Sequence, residues 1–256
     1  PATITYEHCI EWVNKGHNVT VITCAPNFPQ GKVYKGYKNS LYSHEYINKI
    51  KVIRVWSYMA PNSGFIKRIF DFLSFSLMSF FVGIFQKHDI IVATSPQFFT
   101  SWSGWAISKI RRKPWIFEVR DMWPEGIIFL KRNSLLYKFL EKIEGIFYKN
   151  ANGIVTVTES FKSDIIKRFK ISNCKLKVIY NGSNNSFFEN TDTNTKIISS
   201  LNLKDKFIIG YAGTLGISHS LDFVLECLDE IYELNPNIHF IFVGDGALKN
   251  IMHDII

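Results

Sequence analysis

Two hydrophobic periods alternate along the chain and predict its secondary structure. Short apolar runs rich in β-branched residues predict strands over residues 18–23, 51–56, 89–96, 114–119, 153–158, 177–182, 206–213 and 239–246. Longer segments with apolar residues on one helical face predict helices over residues 3–14, 65–86, 102–110, 134–149, 159–169 and 220–233. Residues 26–46, with their prolines and glycines, are predicted as loop. Because strands and helices alternate and most strands are continuously apolar, we expect an α/β fold with parallel sheets covered by helices on both faces.

A change in composition predicts a domain boundary. Residues 183–200 are rich in Asn, Ser and Thr and lack apolar periodicity, whereas a new strand begins at residue 206. We therefore expect a first domain over residues 1–182, a linker over 183–205 and a second domain over 206–256. In open α/β proteins the ligand binds outside the carboxyl ends of the strands, so the residues that follow each strand are the candidates for chemistry.

One helical segment is apolar enough to be compared with a membrane span. Residues 65–86 include Lys67, Arg68 and Asp71 near their start, and the uninterrupted apolar and small-polar stretch covers only residues 72–85. That stretch is shorter than a bilayer requires. A helix buried in the protein or lying at an interface is therefore favoured over a membrane span.

Composition and charge narrow the function classes without choosing one. The chain is 46% hydrophobic, which predicts a packed core and excludes global disorder. The formal net charge of +8 suits nucleic acid, an anionic membrane surface or phosphate-bearing substrates. The seven histidines are scattered, and the cysteines form no CxxC pair, so no metal site is predicted. We expect reduced thiols, as in a cytosolic protein, at Cys9, Cys24, Cys174 and Cys227.

The stretch FEVRDMWPEG, residues 117–126, places crowded charge at the carboxyl end of an apolar strand. Asp121 directly follows Arg120, and a carboxylate beside a guanidinium stays ionised, which suits a base or a charge stabiliser. Glu125 lies four residues further on, and Glu118 could face either the helix layer or solvent. Surface ion pairing would explain these charges without catalysis. On the functional interpretation, Asp121, Arg120 and Glu125 are the candidate catalytic residues.

Two glycine-containing turns form a second candidate site. In GYAGTLGISHSLDFV, residues 210–224, glycines flank a tight turn between a strand and a helix, where backbone amides could bind phosphate. An ordinary strand-to-helix turn would look the same, and the spacing is not GxGxxG, so a dinucleotide site is not favoured. A later strand ends in VGDGALKN, residues 243–250, whose lysine could reach a diphosphate or remain in solvent. The candidate donor-binding residues of the two turns are Gly213, Thr214, Leu215, Gly216, His219, Gly244 and Lys249.

Taken in order, these segments resemble a retaining glycosyltransferase of family 4, with the GT-B architecture of two Rossmann-like domains. The resemblance is carried by NKGHNVTVIT (14–23), APNFPQGKVYKGY (25–37), IIVATSP (90–96), FEVRDMWPEG (117–126), GIVTVTESFKSDI (153–165), VIYNGSN (178–184), GYAGTLGISHSLDFVLECL (210–228) and FVGDG (242–246). It is nearest to the branch that builds bacterial capsule, O-antigen and exopolysaccharide repeat units, which includes the fucosamine transferases.

The resemblance implies roles for the candidate residues. The N-terminal domain would receive the acceptor, with the catalytic position at Arg120-Asp121; relatives often have His-Asp there, so Arg120 is a departure. The C-terminal domain would bind a nucleotide-diphosphate sugar through the turn from Gly213 to Gly216. Many members place an Arg or Lys shortly after that turn, but this chain has none between 214 and 230. Backbone amides and Lys249 would then bind the diphosphate.

The resemblance also implies partners and location. The donor would be a nucleotide sugar carrying a hexosyl or N-acetylhexosaminyl group, and the acceptor a saccharide on a polyprenyl diphosphate. No cofactor, metal or nucleic acid is implied. The protein would lie in the cytoplasm at the inner face of the plasma membrane, with residues 65–86 and the basic residues around them as a peripheral contact.

Two segments that the family normally carries are not found in this chain: an opening strand with a Gly-rich loop, and a pair of glutamates eight positions apart in the C-terminal domain. We therefore expect a fragment truncated at both ends, with an incomplete C-terminal domain and little or no turnover. Two alternatives stay open. One is an enzyme similar to the UDP-N-acetylglucosamine 2-epimerases, against which the few titratable candidates argue mildly. The other is a non-catalytic module that binds sugar nucleotides.

Overall fold

The computed structural model describes residues 2–27, 31–59, 65–95, 98–124, 131–182, 195–216, 219–246 and 248–255. The chain divides into two compact units, Pro1–Ser183 and Asn184–Ile256. The change of unit falls at the beginning of the segment rich in Asn, Ser and Thr.

Helices and strands alternate along most of both units, as the sequence predicts. The first unit contains α1 (Ala2–Asn14), β1 (Thr20–Thr23), β2 (Tyr42–Ile47), β3 (Ile50–Val55), α2 (Phe65–Gly83), β4 (Ile91–Thr94), α3 (Phe98–Arg111), β5 (Trp115–Val119), α4 (Leu135–Asn150), β6 (Gly153–Thr156), α5 (Glu159–Phe169), a 3₁₀ turn (Asn173–Lys175) and β7 (Leu176–Val178). The second unit contains α6 (Thr195–Ser200), β8 (Phe207–Ala212), α7 (Leu221–Glu226), α8 (Leu228–Leu234), β9 (Ile238–Val243) and α9 (Lys249–Ile255).

The described residues of the first unit form two sheets, with strand orders β1-β3-β2 and β4-β5-β6-β7. Every pair in the four-stranded sheet is parallel, so the α/β prediction with parallel sheets is confirmed. The main core lies on this sheet and includes the fully buried side chains of Trp115, Tyr148 and Ile165. Side-chain caps fix where two of its helices begin: Ser134 accepts from the Tyr137 amide, and Thr158 accepts from the Phe161 amide.

The prediction of a loop over residues 26–46 is wrong in its last part. Residues 42–47 form β2, which pairs antiparallel with β3, so the parallel pattern does not hold throughout. The two strands are joined by Asn48 and Lys49 at φ values of 47° and 67°, the pattern of a two-residue type I′ turn. All six residues of β2 are exposed and mix aromatic with polar side chains, so no apolar alternation marked the strand. The ion pair between Glu45 and Arg54 adds a cross-strand contact.

Helix α2 has one face buried and one exposed. Ser79 donates to the Ser103 hydroxyl of α3 at 3.2 Å, and a side chain at Gly83 would collide with Ile107. Within the described residues, no helix combines the length and the apolar character needed to cross a bilayer. The contacts with α3 agree with the prediction of a packing helix.

The second unit is built on the parallel pair β8 and β9. Its small core consists of Leu215, Leu221, Leu225 and Met252. The single helix predicted over residues 220–233 is in fact two, α7 and α8, which meet at Cys227. The Cys227 amide donates to the Val224 carbonyl three residues back, a tighter turn that ends the first helix.

Candidate functional site

The turn after β5 is held by one buried hydroxyl. Ser95, at the end of β4, is 1% exposed, and its Oγ accepts from the amides of Arg120 at 2.8 Å and Asp121 at 3.1 Å. The same hydroxyl donates to the Asp121 carbonyl at 3.3 Å. The Ser95 amide donates to the Glu118 carbonyl at 2.9 Å, which carries the pairing of β4 and β5 beyond the strands. Ser95 was missed from the sequence because nothing local marks it as a partner of a turn 26 residues away.

The candidate catalytic side chains of this turn differ in their surroundings. The Asp121 side chain is exposed and the Arg120 side chain half-buried, and neither forms an ion pair with another described residue. Among the described residues, surface ion pairing therefore does not explain the charges of Arg120 and Asp121. Glu118 faces the helix layer, where its carboxylate lies 3.8 Å from Nδ1 of His8. Glu125 lies outside the described residues.

The apolar members of the same turn anchor it to the core. Pro124 is fully buried, and the Trp123 ring packs 6.0 Å from the Phe98 ring, measured between centroids. The turn therefore has a buried side, formed by these two residues, and an exposed carboxylate at Asp121. This division explains why tryptophan, proline and charge occur together in FEVRDMWPEG.

In the second unit, the two glycine-containing turns are hydrogen-bonded to each other. The Gly213 amide donates to the Val243 carbonyl at 2.9 Å, and the Leu215 amide donates to the Asp245 carbonyl at 3.0 Å. Two of the amides predicted to bind phosphate are therefore already used. The amides of Thr214 and Gly216 have no protein acceptor among the described residues, so they remain available to a ligand.

Close backbone approach explains the glycine of the later turn. A Cβ atom on Gly244 would overlap the carbonyl oxygen of Gly213. Tyr211, which sequence reasoning missed, supports the earlier turn by donating from its hydroxyl to the Thr214 carbonyl at 2.8 Å. The His219 ring lies 6.4 Å from the Tyr211 ring in a T-shaped contact, so the candidate histidine packs beside this support.

Lys249 is exposed at the start of α9, and its ammonium lies 3.6 Å from the Asp245 carboxylate. This carboxylate would compete with a diphosphate for the lysine. The assignment of Lys249 to the donor site stays a prediction.

The perturbed pKa values lie elsewhere. Burial raises the pKa of the Cys9 thiol, and the nearby Glu118 carboxylate raises it further. Burial also raises the pKa of Cys24. All four cysteines are free thiols.

Residues 2–186, which include the first unit's strand-end turn, match the family model described as Glycosyltransferase Family 4. The chain belongs to glycosyltransferase family 4. The chain is also similar to the putative colanic acid biosynthesis glycosyl transferase WcaI of Escherichia coli K12, which is 26% identical over 254 residues. That alignment covers 94% of this chain and 61% of WcaI, so the chain spans about three fifths of the relative's length.

Solved structures of other glycosyltransferases share the fold of this family 4 chain. HepE from Anabaena in complex with UDP-glucose matches with a TM-score of 0.58 at 15% identity, over 82% of this chain and 52% of HepE. Sucrose-phosphate synthase from Thermosynechococcus elongatus matches with a TM-score of 0.58 at 14% identity, over 95% of this chain and 65% of the synthase. These neighbours are GT-B glycosyltransferases, and at such identities the likeness shows the fold alone.

Proposed function

We propose that the protein containing this chain transfers a hexosyl or N-acetylhexosaminyl group from a nucleotide-diphosphate sugar to a saccharide acceptor, with retention at the anomeric carbon. Family 4 membership supports the transferase class. The observation that carries the site assignment is the Asp121 carboxylate, exposed at the carboxyl end of β5 on a backbone held by buried Ser95. WcaI, named for colanic acid biosynthesis, supports a bacterial surface polysaccharide as the product; the fucosamine transferase branch remains part of the proposal.

The donor diphosphate would bind at the turn from Gly213 to Gly216. HepE, which shares the fold, was crystallised with UDP-glucose. The unpaired amides of Thr214 and Gly216 could donate to phosphate oxygens, and His219 lies beside the same turn. Backbone amides aimed at a departing diphosphate stabilise its developing charge without reorganisation, so this chemistry requires no metal.

Asp121 would act on the acceptor side. An exposed carboxylate without a protein cation can orient an acceptor hydroxyl or stabilise positive charge on the sugar as the diphosphate leaves. The proton of the acceptor hydroxyl would pass to the departing diphosphate. Arg120, half-buried on the same turn, would supply positive charge next to this carboxylate.

The acceptor would be a saccharide linked to polyprenyl diphosphate, and the protein would work at the cytoplasmic face of the plasma membrane. Support comes from α2, whose exposed side chains include Phe70, Leu77 and Phe81 together with Lys67 and Arg68. An apolar helical face beside basic residues suits an anionic membrane surface.

Product analysis tests this proposal against the two alternatives. The full-length protein would be incubated with UDP-sugars and a membrane extract, and the products separated by phase extraction and chromatography. We expect sugar in the lipid phase; release of a free-sugar epimer would indicate an epimerase, and saturable binding without product a binding module.

A carboxamide substitution tests the role of Asp121 in this activity. Asp121→Asn should lower transfer by about 10²-fold or more, in the range found when one charge-stabilising group is removed. Asp89→Asn is the matched control, because Asp89 is fully exposed and, among the described residues, pairs with Lys113 alone at 3.2 Å. Equal activity of the two variants would show that Asp121 takes no part in the reaction.

A further inference from the structure

An apolar groove runs between α2 and α4 on the helix layer of the first unit. It encloses a cavity of about 330 Å³ whose base is formed by α3. None of the candidate site residues lines the cavity, although one lining residue, Phe98, packs against Trp123 of the turn that carries Asp121. Its principal lining residues are Leu73 and Leu77 of α2, Phe99 and Trp102 of α3, and Ile143 and Phe147 of α4.

The groove offers almost no polar atoms to a ligand. Among the described residues that line it, the one with a polar side-chain oxygen is Ser76, whose hydroxyl donates to the Phe99 carbonyl and is therefore already satisfied. Sites for sugars or nucleotides need several placed donors and acceptors, so this cavity suits a purely apolar occupant.

Exposed apolar side chains continue the groove onto the surface. On α2, Phe70 is 59% exposed and Phe81 57%. On α4, Leu136 is 49% exposed and Phe139 60%. Large exposed apolar patches beside polar residues mark interaction sites rather than ordinary surface.

The exposed charged residues of α2 and α4 are basic, whereas Asp71 of α2 is half-buried. Lys67 on α2 and Lys138 and Lys142 on α4 are exposed and form no ion pair with a described residue. The acidic residue nearest to these lysines on α4, Glu141, is held by Arg168 at 2.7 Å. Lysines beside an apolar helical face complement anionic headgroups, whereas a neutral protein partner would not need them.

We propose that this groove binds one hydrocarbon chain of an anionic bilayer lipid while α2 and α4 lie on the membrane surface. The inference rests on the peripheral membrane contact of the proposed function. The lysines would bind headgroups, the exposed phenylalanines and leucines would enter the acyl boundary, and the cavity would hold a chain segment against Trp102.

Trp102 is a built-in reporter for such a chain. The full-length protein would be mixed with phosphatidylglycerol vesicles whose acyl chains carry bromine, a contact quencher of tryptophan, and with unbrominated vesicles as reference. We expect brominated vesicles to quench the emission of the unsubstituted protein, and Trp102→Phe to lose that part of the quenching. The proposal is wrong if no quenching is seen, or if the two proteins are quenched equally. Either result would also be expected if another segment of the full-length protein filled the groove.

A rim substitution provides a second measurement. Phe139→Asp should weaken partitioning into these vesicles by about tenfold or more, since an inserted aromatic side chain is replaced by a charge. Leu234→Asp, at a residue 80% exposed on α8 of the second unit, is the matched control and should leave partitioning unchanged. Equal partitioning of the two variants would contradict the proposal that the groove contacts the membrane.

Transfer to the lipid-linked acceptor is measured on the same preparations. Intact transfer without Trp102 quenching would contradict the proposal that the groove binds a lipid chain, and would still agree with the proposed function. Quenching without any transfer would support the groove and count against the proposed function.

Discussion

Replacing Ser95 with alanine tests whether one hydroxyl holds the candidate catalytic turn. The Ser95 Oγ accepts from two backbone amides, those of Arg120 and Asp121, in a position that is 1% exposed. Alanine fits the same space but offers no acceptor. Water cannot easily replace the hydroxyl there, so both amides would lose their partner.

The magnitude follows from the cost of an unsatisfied buried amide, about 1–3 kcal/mol each. Two amides share one acceptor and relax together, so we expect a loss of about 2–4 kcal/mol in the free energy of unfolding. Such a loss is a large fraction of the free energy of unfolding of about 5–15 kcal/mol that is typical of native proteins. The turn would also position Asp121 less well, so the transfer rate should fall in the full-length protein.

Urea unfolding followed by far-UV circular dichroism measures the difference, with Ser101→Ala as the matched control. Ser101 is 0% exposed, and its hydroxyl has no hydrogen-bond partner among the described residues. Removing an unpaired buried hydroxyl should be neutral within about 0.5 kcal/mol, or stabilising. If both variants lose the same stability, packing rather than hydrogen bonding explains the effect, and the reasoning about Ser95 fails.

Three further predictions concern other parts of the chain. Gly244→Ala should destabilise the second unit and weaken UDP-sugar binding in calorimetry, since its Cβ would overlap the Gly213 carbonyl; unchanged affinity would contradict this. Tyr148→Phe should cost about 1.5–3 kcal/mol in urea unfolding by removing a buried 2.6 Å bond to a carboxylate, against no loss for exposed Tyr232→Phe. Because burial raises the pKa of Cys24, the contribution of its protonated thiol to the free energy of unfolding should be lost as pH rises above 9.0. Mass spectrometry should show that iodoacetamide labels the exposed Cys174 first.

The parts of the fold that depend on local pattern were predictable, and those that depend on exposed pairing were not. Strand β5 and helix α4 follow apolar runs and a helical apolar face, which the sequence displays directly. Strand β2 is exposed along its whole length and is held by pairing with β3, so its residues carry no burial signal. The break at Cys227 depends on backbone hydrogen bonding within an otherwise regular helical pattern.

The candidate site shows the same division. The rule that ligands bind at the carboxyl ends of parallel strands selected the turn after β5 and the turn after β8 from sequence alone. The residues that shape those turns, Ser95 and Tyr211, were not selected because their roles depend on bonds to the backbone of a turn. A serine or tyrosine in a strand or at its end is common in any sheet, so the residue type alone does not indicate a hydrogen bond to the backbone of a turn.

The hydrogen bonds between the two turns of the second unit have a consequence for motion. Since Gly213 and Leu215 are tied to Val243 and Asp245, a displacement of either turn must carry the other with it. A sugar nucleotide that contacts only the first turn would therefore also restrict the second. Most of the conformational entropy of the two turns would already be lost on folding, before the ligand binds.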